Sequence, residues 1–132
     1  FMAPWDVKNI VEKVDKENGD KLLLTERGSS FGYNNLVSDM TSIPIMQEFG
    51  VPVIFDATHS VQRPGGLGKI TGGAREFIPT LAKAAVAAGC NGVFMEVHDD
   101  PKNAKSDAAS QWPLNKLDLL LKSLKTIKRA IL

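Results

Sequence analysis

The chain is predicted to be α/β, with parallel strands of the (β/α)8 TIM-barrel type, and three observations carry that expectation. Short apolar runs alternate with amphipathic stretches in the order helix, strand, helix, strand, helix, strand, helix, which calls for right-handed parallel crossovers. Each apolar run ends in polar, ligand-capable side chains, and the C-terminal ends of parallel strands are where such folds place their chemistry. Equivalent strand ends at Arg27, His59 and Glu96 lie 32 and 37 residues apart, close to the roughly 30 residues of one barrel unit. Three strands with four helices are fewer than a closed barrel needs and suit either a small doubly wound fold or part of a barrel, between which the strand spacing favours the barrel. The expectation for residues 1–132 is therefore the C-terminal half of a single barrel domain, with the N-terminal half outside this chain. Phe1 at the first position, in place of an initiator Met, agrees with that.

The elements follow in order. From Asp6, with Pro4 just before it, Val7, Ile10, Val11 and Val14 fall at helical spacing, and Asn18-Gly19 supplies a stop. A strand is expected over Lys21 to Thr25, then a polar loop through Ser29, Ser30, Gly32, Asn34 and Asn35. A short helix over Ser42 to Phe49 ends at Gly50, and a strand from Val51 to Phe55 follows. The segment Ser60 to Gly73 carries Gly65, Gly66, Gly68, Gly72 and Gly73 with Arg63 and Lys69, and reads as an irregular, mobile loop. A third helix from about Arg75 buries Ile78, Leu81, Ala84, Ala85 and Ala88 before Gly89; Pro79 is tolerated in its first turn. The strand Gly92 to Val97 comes next, then a polar loop. Pro113 opens a last helix with Leu114, Leu117, Leu120, Leu121, Leu124, Ile127 and Ile131 on one side, while lysines 116, 122, 125 and 128 solvate the other.

At 132 residues and 43% hydrophobic, the chain can build a real core. Its 16 basic and 15 acidic residues are interspersed, leaving no electrostatic footprint for nucleic acid or an anionic membrane surface. No apolar run approaches the roughly 20 residues of a membrane span, and the N-terminus lacks a signal-peptide layout. A cytoplasmic protein is expected. Cys90 is the only cysteine, so neither an internal disulfide nor a paired-cysteine metal site can form within the chain, and a small buried thiol is expected.

The chemistry is expected at the strand ends. His59, just past a buried strand, offers an imidazole to a metal or a proton; a lone loop histidine is more often structural. Glu96 directly continues an apolar run, where a carboxylate is costly unless it meets a cation. Asp107, in Lys105-Ser106-Asp107-Ala108, would by itself be an ordinary solvated acid or a turn former. Together, one imidazole and two carboxylates form a mixed N/O site suited to zinc, iron or manganese, with a fourth ligand unassigned. Arg27 is a candidate bidentate clamp for phosphate or carboxylate, against the alternative of pairing with Glu26.

At these residues the chain resembles a known family. Met2-Ala3-Pro4-Trp5-Asp6, the run from Thr25-Glu26-Arg27-Gly28 through Asn34-Asn35-Leu36, Phe55-Asp56-Ala57-Thr58-His59-Ser60-Val61-Gln62, Gly72-Gly73-Ala74-Arg75-Glu76-Phe77 and Phe94-Met95-Glu96-Val97-His98 are similar to segments of 3-deoxy-D-manno-octulosonate 8-phosphate synthase, C-terminal half, in order and with similar spacing. The resemblance implies a barrel that condenses phosphoenolpyruvate with arabinose 5-phosphate, releases phosphate, and forms the eight-carbon sugar acid phosphate of lipopolysaccharide. The enol carbon attacks the sugar aldehyde, water adds at the adjacent carbon, and phosphate leaves by C–O cleavage. The site must therefore hold two anions and stabilise transient charge.

The resemblance further implies residue roles. Arg27 would bind the phosphoenolpyruvate phosphate. His59, Glu96 and Asp107 would be the catalytic metal ligands, with His59 also among the substrate contacts. The family's fourth ligand, a cysteine near the end of its first strand, lies outside this chain, and Cys90 is not its counterpart. Ser106-Asp107-Ala108 is closer to the metal-dependent branch than to the Cys-Asp-Gly pattern of the metal-independent one. Gln62 begins the loop, to Gly72, that closes over substrates in the family; Gln62 and Arg63 are further candidate contacts. His98 is a candidate outer-shell group, with solvation or pairing with Asp99 as the alternative. A homo-oligomer, a tetramer by resemblance, is expected. The alternatives are the related synthase of the seven-carbon shikimate precursor, whose histidine segment differs, a noncatalytic phosphate- or metal-binding half barrel, and a purely structural fragment.

Overall fold

In a computed structural model of the chain, residues 2–18, 21–65 and 72–132 are described. A 3-10 turn at Pro4–Val7, with Pro in its first positions, leads into α1 (Lys8–Asn18). Val7 and Val11 enter the core, while Ile10 stays exposed on the helix's outer side. Then come β1 (Leu24–Glu26), β2 (Ser29–Phe31), β3 (Asn35–Val37), α2 (Ser42–Gln47) and β4 (Val53–Asp56). A 3-10 turn at His59–Val61 is followed by β5 (Gln62–Arg63), β6 (Gly72–Gly73), α3 (Ile78–Ala87), β7 (Gly92–Phe94), β8 (Val97–His98), β9 (Trp112–Pro113) and α4 (Leu117–Ala130).

The central sheet has the order β1-β4-β7 and is parallel throughout, with Leu24 opposite Val53 and Ile54 opposite Gly92. Each strand lies beside the next one along the chain. That sequential order, with no switch point among the three strands, is consistent with a barrel wall. The architecture is α/β, three parallel strands with four helices, consistent with part of a TIM barrel. Val53, Phe55, Ala57, Ile43, Ile78, Ala82 and Ala85 are fully buried and tie β4 to α2 and α3, while Leu120 and Leu124 bring in α4. β4, central in the sheet and buried on both faces, reads as an apolar run for that reason. Among the described residues no helix is long and apolar enough to cross a membrane.

Several expectations change. The first strand begins at Leu24 rather than Lys21, and the polar loop after it is a hairpin, with Phe31 paired to Asn35 across a turn where Gly32 and Asn34 take positive φ of 65° and 52°. Strands of three residues are too short to show a period of two in sequence. The glycine-rich segment is not irregular at its ends: Gln62 pairs with Gly73 and Arg63 with Gly72, while residues 66–71 of the expected mobile loop lie outside the described residues, as does the helix stop at Gly19. The strand after Cys90 stops at Phe94, and Val97–His98 instead pairs with Trp112–Pro113, so Pro113, expected to open the last helix, lies in a strand and α4 begins only at Leu117. On α3 the buried positions are Ile78, Ala82, Ala85 and Val86, with Leu81, Ala84 and Ala88 only half-buried. On α4, Leu119 and Leu121 are exposed because the helix meets α3 along a stripe narrower than its apolar arc, and Leu114 and Ile131, expected on its apolar side, lie just outside it and are exposed too.

Candidate functional site

The site starts at the C-terminal end of β4. Asp56 is nearly buried, and its Oδ1 accepts the N–H groups of Thr58 (3.2 Å) and His59 (2.9 Å) and the hydroxyl of Thr58 (3.2 Å). Those bonds close the turn after the strand in the manner of an Asx turn. The other oxygen, Oδ2, lies 2.7 Å from His59 Nδ1. With a carboxylate there, Nδ1 carries the ring proton and Nε2 presents its lone pair. Phe94 of β7 stacks on the ring at 6.1 Å between centroids, 20° from parallel.

Nε2 points at two carboxylates: Glu96 Oε1 at 3.5 Å and Asp107 Oδ2 at 3.9 Å. Glu96 is held by its backbone, its N–H donating to Thr58 Oγ1 (3.2 Å) and its carbonyl accepting from Trp112 (2.9 Å). Asp107 sits in a turn with φ of 48°; its carbonyl accepts the N–H groups of Ser110 (2.8 Å) and Gln111 (3.1 Å), and the Arg75 guanidinium donates to the next carbonyl, Ala108. One ligand atom from each of His59, Glu96 and Asp107 lies within 4.8 Å of the others. A divalent ion at about 2.0–2.2 Å from N and O donors separates them by roughly 3–3.5 Å, so small adjustments suffice and the donor set fits such a cation. An imidazole whose far nitrogen donates to a carboxylate is also the arrangement that fixes ring tautomer in metal sites.

Arg27 follows β1 at the next strand end. Both oxygens of Glu26 are engaged elsewhere, Oε1 by the Gly28 N–H (2.6 Å) and Oε2 by the Ser42 hydroxyl (2.7 Å), and Gly28 turns the chain at φ of 87°. Glu26 therefore shapes the turn instead of neutralising Arg27. Arg27 Nη2 donates to Gln62 Oε1 at 3.2 Å, and Arg27 lines a cavity of about 670 Å³ together with Ser29, Ser30 and Asp39. The lining mixes that guanidinium and the Ser29 and Ser30 hydroxyls with the carboxylates of Glu26 and Asp39, so Arg27 is the group there that would attract an anion.

The structure thus brings His59, Glu96, Asp107, Gln62 and Arg27 into one connected group. Arg63 does not join them: it is exposed and faces a separate cavity of about 530 Å³ under the β2–β3 hairpin, beside Phe31, Tyr33 and Asn35. His98 turns to its own loop, where Nδ1 accepts the Asp100 N–H at 2.9 Å and lies 3.1 Å from Asp99 Oδ1. The same Asp100 N–H also donates to Asp99 Oδ1 at 3.0 Å, so His98 sits against Asp99 in its own loop, the pairing expected as its alternative. Asp56 is the residue that sequence reasoning left without a role; the Asp-x-x-His spacing at a strand end was its signal. Cys90 is buried as expected, and burial pushes its thiol pKa up against the opposing pull of Lys128.

The family model of the DAHP synthetase I family matches residues 1–132. Among curated relatives, the 2-dehydro-3-deoxyphosphooctonate aldolase of Nitratidesulfovibrio vulgaris is 59% identical over 127 residues, 96% of this chain and 46% of that protein. Those of Geobacter metallireducens (58% identical, 96% and 47% covered) and Protochlamydia amoebophila (56% identical, 99% and 48% covered) are similar. The chain spans about half the length of these relatives. The parallel strand order, the polar strand ends and the full-length match lead to one conclusion: this chain belongs to the DAHP synthetase I family.

Proposed function

We propose that the chain is the C-terminal half of one (β/α)8 barrel domain in a 3-deoxy-D-manno-octulosonate 8-phosphate synthase, which condenses phosphoenolpyruvate with arabinose 5-phosphate in the cytoplasm, as a homo-oligomer. The convergence of His59 Nε2, Glu96 and Asp107 beside Arg27 carries this reading, and relatives at 54–59% identity are named 2-dehydro-3-deoxyphosphooctonate aldolase. Arg27 grips the phosphoenolpyruvate phosphate, its planar fork matching the anion. His59, Glu96 and Asp107 hold a divalent cation, zinc, iron or manganese, with a fourth ligand from the other half of the barrel. When bound, the cation supplies a Lewis acid that orients and polarises substrate oxygens. Asp56 keeps the His59 proton on Nδ1, and Gln62 closes the gap between Arg27 and Asp107. Arg63 and His98 stand outside this group and take no role in the proposal.

Stripping the full-length protein with a chelator is expected to abolish phosphate release from the two substrates, and added zinc, iron or manganese to restore it. Full turnover by the stripped protein would refute the metal-dependent assignment. Offering a four-carbon aldose phosphate in place of the five-carbon one tests the family's other named chemistry, since a seven-carbon product needs that partner. Preference for the four-carbon sugar would transfer the assignment to the related synthase, and phosphoenolpyruvate binding without turnover would leave a noncatalytic module.

A further inference from the structure

Gln62 is nearly buried in β5, and its amide touches both halves of the site: Oε1 accepts from Arg27 Nη2 at 3.2 Å, and Nε2 donates to Asp107 Oδ1 at 2.7 Å. A guanidinium only donates and a carboxylate only accepts, so the amide has one satisfactory orientation; flipped, it would face donor to donor and acceptor to acceptor. With Oδ1 engaged, Oδ2 is the oxygen of Asp107 left facing His59 Nε2. Asp107 itself sits at φ of 48°, the left-handed region that aspartate enters more readily than most residues.

A second observation ties the same strand pair to the Asp107 turn. Gly73 lies opposite Gln62 in the β5–β6 ladder, and a Cβ there would stand 3.0 Å from the carbonyl carbon and oxygen of Ala109. The ladder therefore packs on the backbone of the turn while Gln62 bonds its side chain. We propose that Gln62 is a positioning residue for the metal ligand Asp107, its amide locked by Arg27, so that one hydrogen-bonded chain holds the anion site and the cation site together. This rests on the metal-site reading above and goes beyond a substrate contact, since a mere substrate contact would leave metal affinity in the substrate-free protein untouched.

The test uses the substrate-free, full-length protein, with zinc or cobalt titrated against a chelating indicator. Gln62→Met keeps the side chain's length and removes both bonds; a ten- to hundredfold weaker metal affinity is expected, the usual consequence of losing an outer-shell partner. Gln62→Asn, too short to reach both partners, should shift the same way, and thermal melts of the metal-free proteins show that both variants fold. In an Asp107→Ala background, Gln62→Met should cost no further metal affinity, because its effect runs through Asp107. Wild-type affinity in folded Gln62→Met, or additive losses in the double variant, would overturn the proposal. If the wild-type protein itself takes up no divalent cation, the metal-site reading fails first.

Discussion

At His59 the useful atom depends on which ring nitrogen carries the proton, and Asp56 settles that. Its Oδ1 is committed to three donors, so an asparagine there would keep its carbonyl at Oδ1 and turn its NH2 toward His59 Nδ1. The ring would then accept at Nδ1 and carry its proton on Nε2, directed at the proposed cation position between Glu96 and Asp107. Asp56→Asn is accordingly expected to weaken metal binding by about ten- to hundredfold with little change in fold, measured by competitive titration. An unchanged affinity would mean that the ring tautomer does not depend on Asp56. Cys90 is a bystander at this scale, a buried thiol kept protonated by its surroundings.

At the scale of elements, α2 braces the turn that presents Arg27, since the Ser42 hydroxyl donates to Glu26, and the segment before α2 is in turn organised by Asp39. The Asp39 carboxylate accepts the N–H (2.9 Å) and hydroxyl (2.7 Å) of Thr41, while its carbonyl accepts from the Ser42 N–H at 3.0 Å. The Thr41 side-chain bond, then the backbone one, holds the Asp39 pKa below its ordinary value. A depressed folded pKa stabilises the fold above the unfolded value of about 3.9. That contribution is lost as pH falls through the lower folded value. Acid unfolding of the full-length protein should therefore shift to higher pH in Thr41→Val, followed by denaturation midpoints below about pH 5; an unshifted acid limb would show that the bond contributes nothing. Asp39 is exposed, so the shift is expected to be small.

At the scale of the whole molecule, β1 and β7 are the outer strands of a three-stranded parallel sheet, and parallel strands are normally covered on both faces and closed into a barrel or bounded by further strands. Leu23 and Phe94, beside those edges, are 59% and 46% exposed, the pattern of surfaces that another part of a barrel would cover. Residues 1–132 expressed alone are expected to self-associate, and co-expression with the remaining half to give a defined species with synthase activity. Light scattering coupled to size exclusion checks this; a stable monodisperse monomer of 1–132 would contradict the half-barrel reading.

What the sequence by itself determined is local: the alternation of elements, the apolar runs that became β4 and β7, and the residue types at their ends, His59 and Glu96 among them. Apolar periodicity is a neighbour-to-neighbour property, so it survives in the one-dimensional string. The hairpin and the two short strand pairs escaped because two or three residues cannot display a period. The grouping of Asp107 with His59 and Glu96 was already an expectation from sequence; only the tertiary structure decided that Arg63 and His98 stand apart from them and that Gln62 links Arg27 to Asp107 across 35 and 45 residues of chain. Such pairings are set by sheet register and by how each loop packs on its neighbour. Neither leaves a trace in the spacing of the residues concerned.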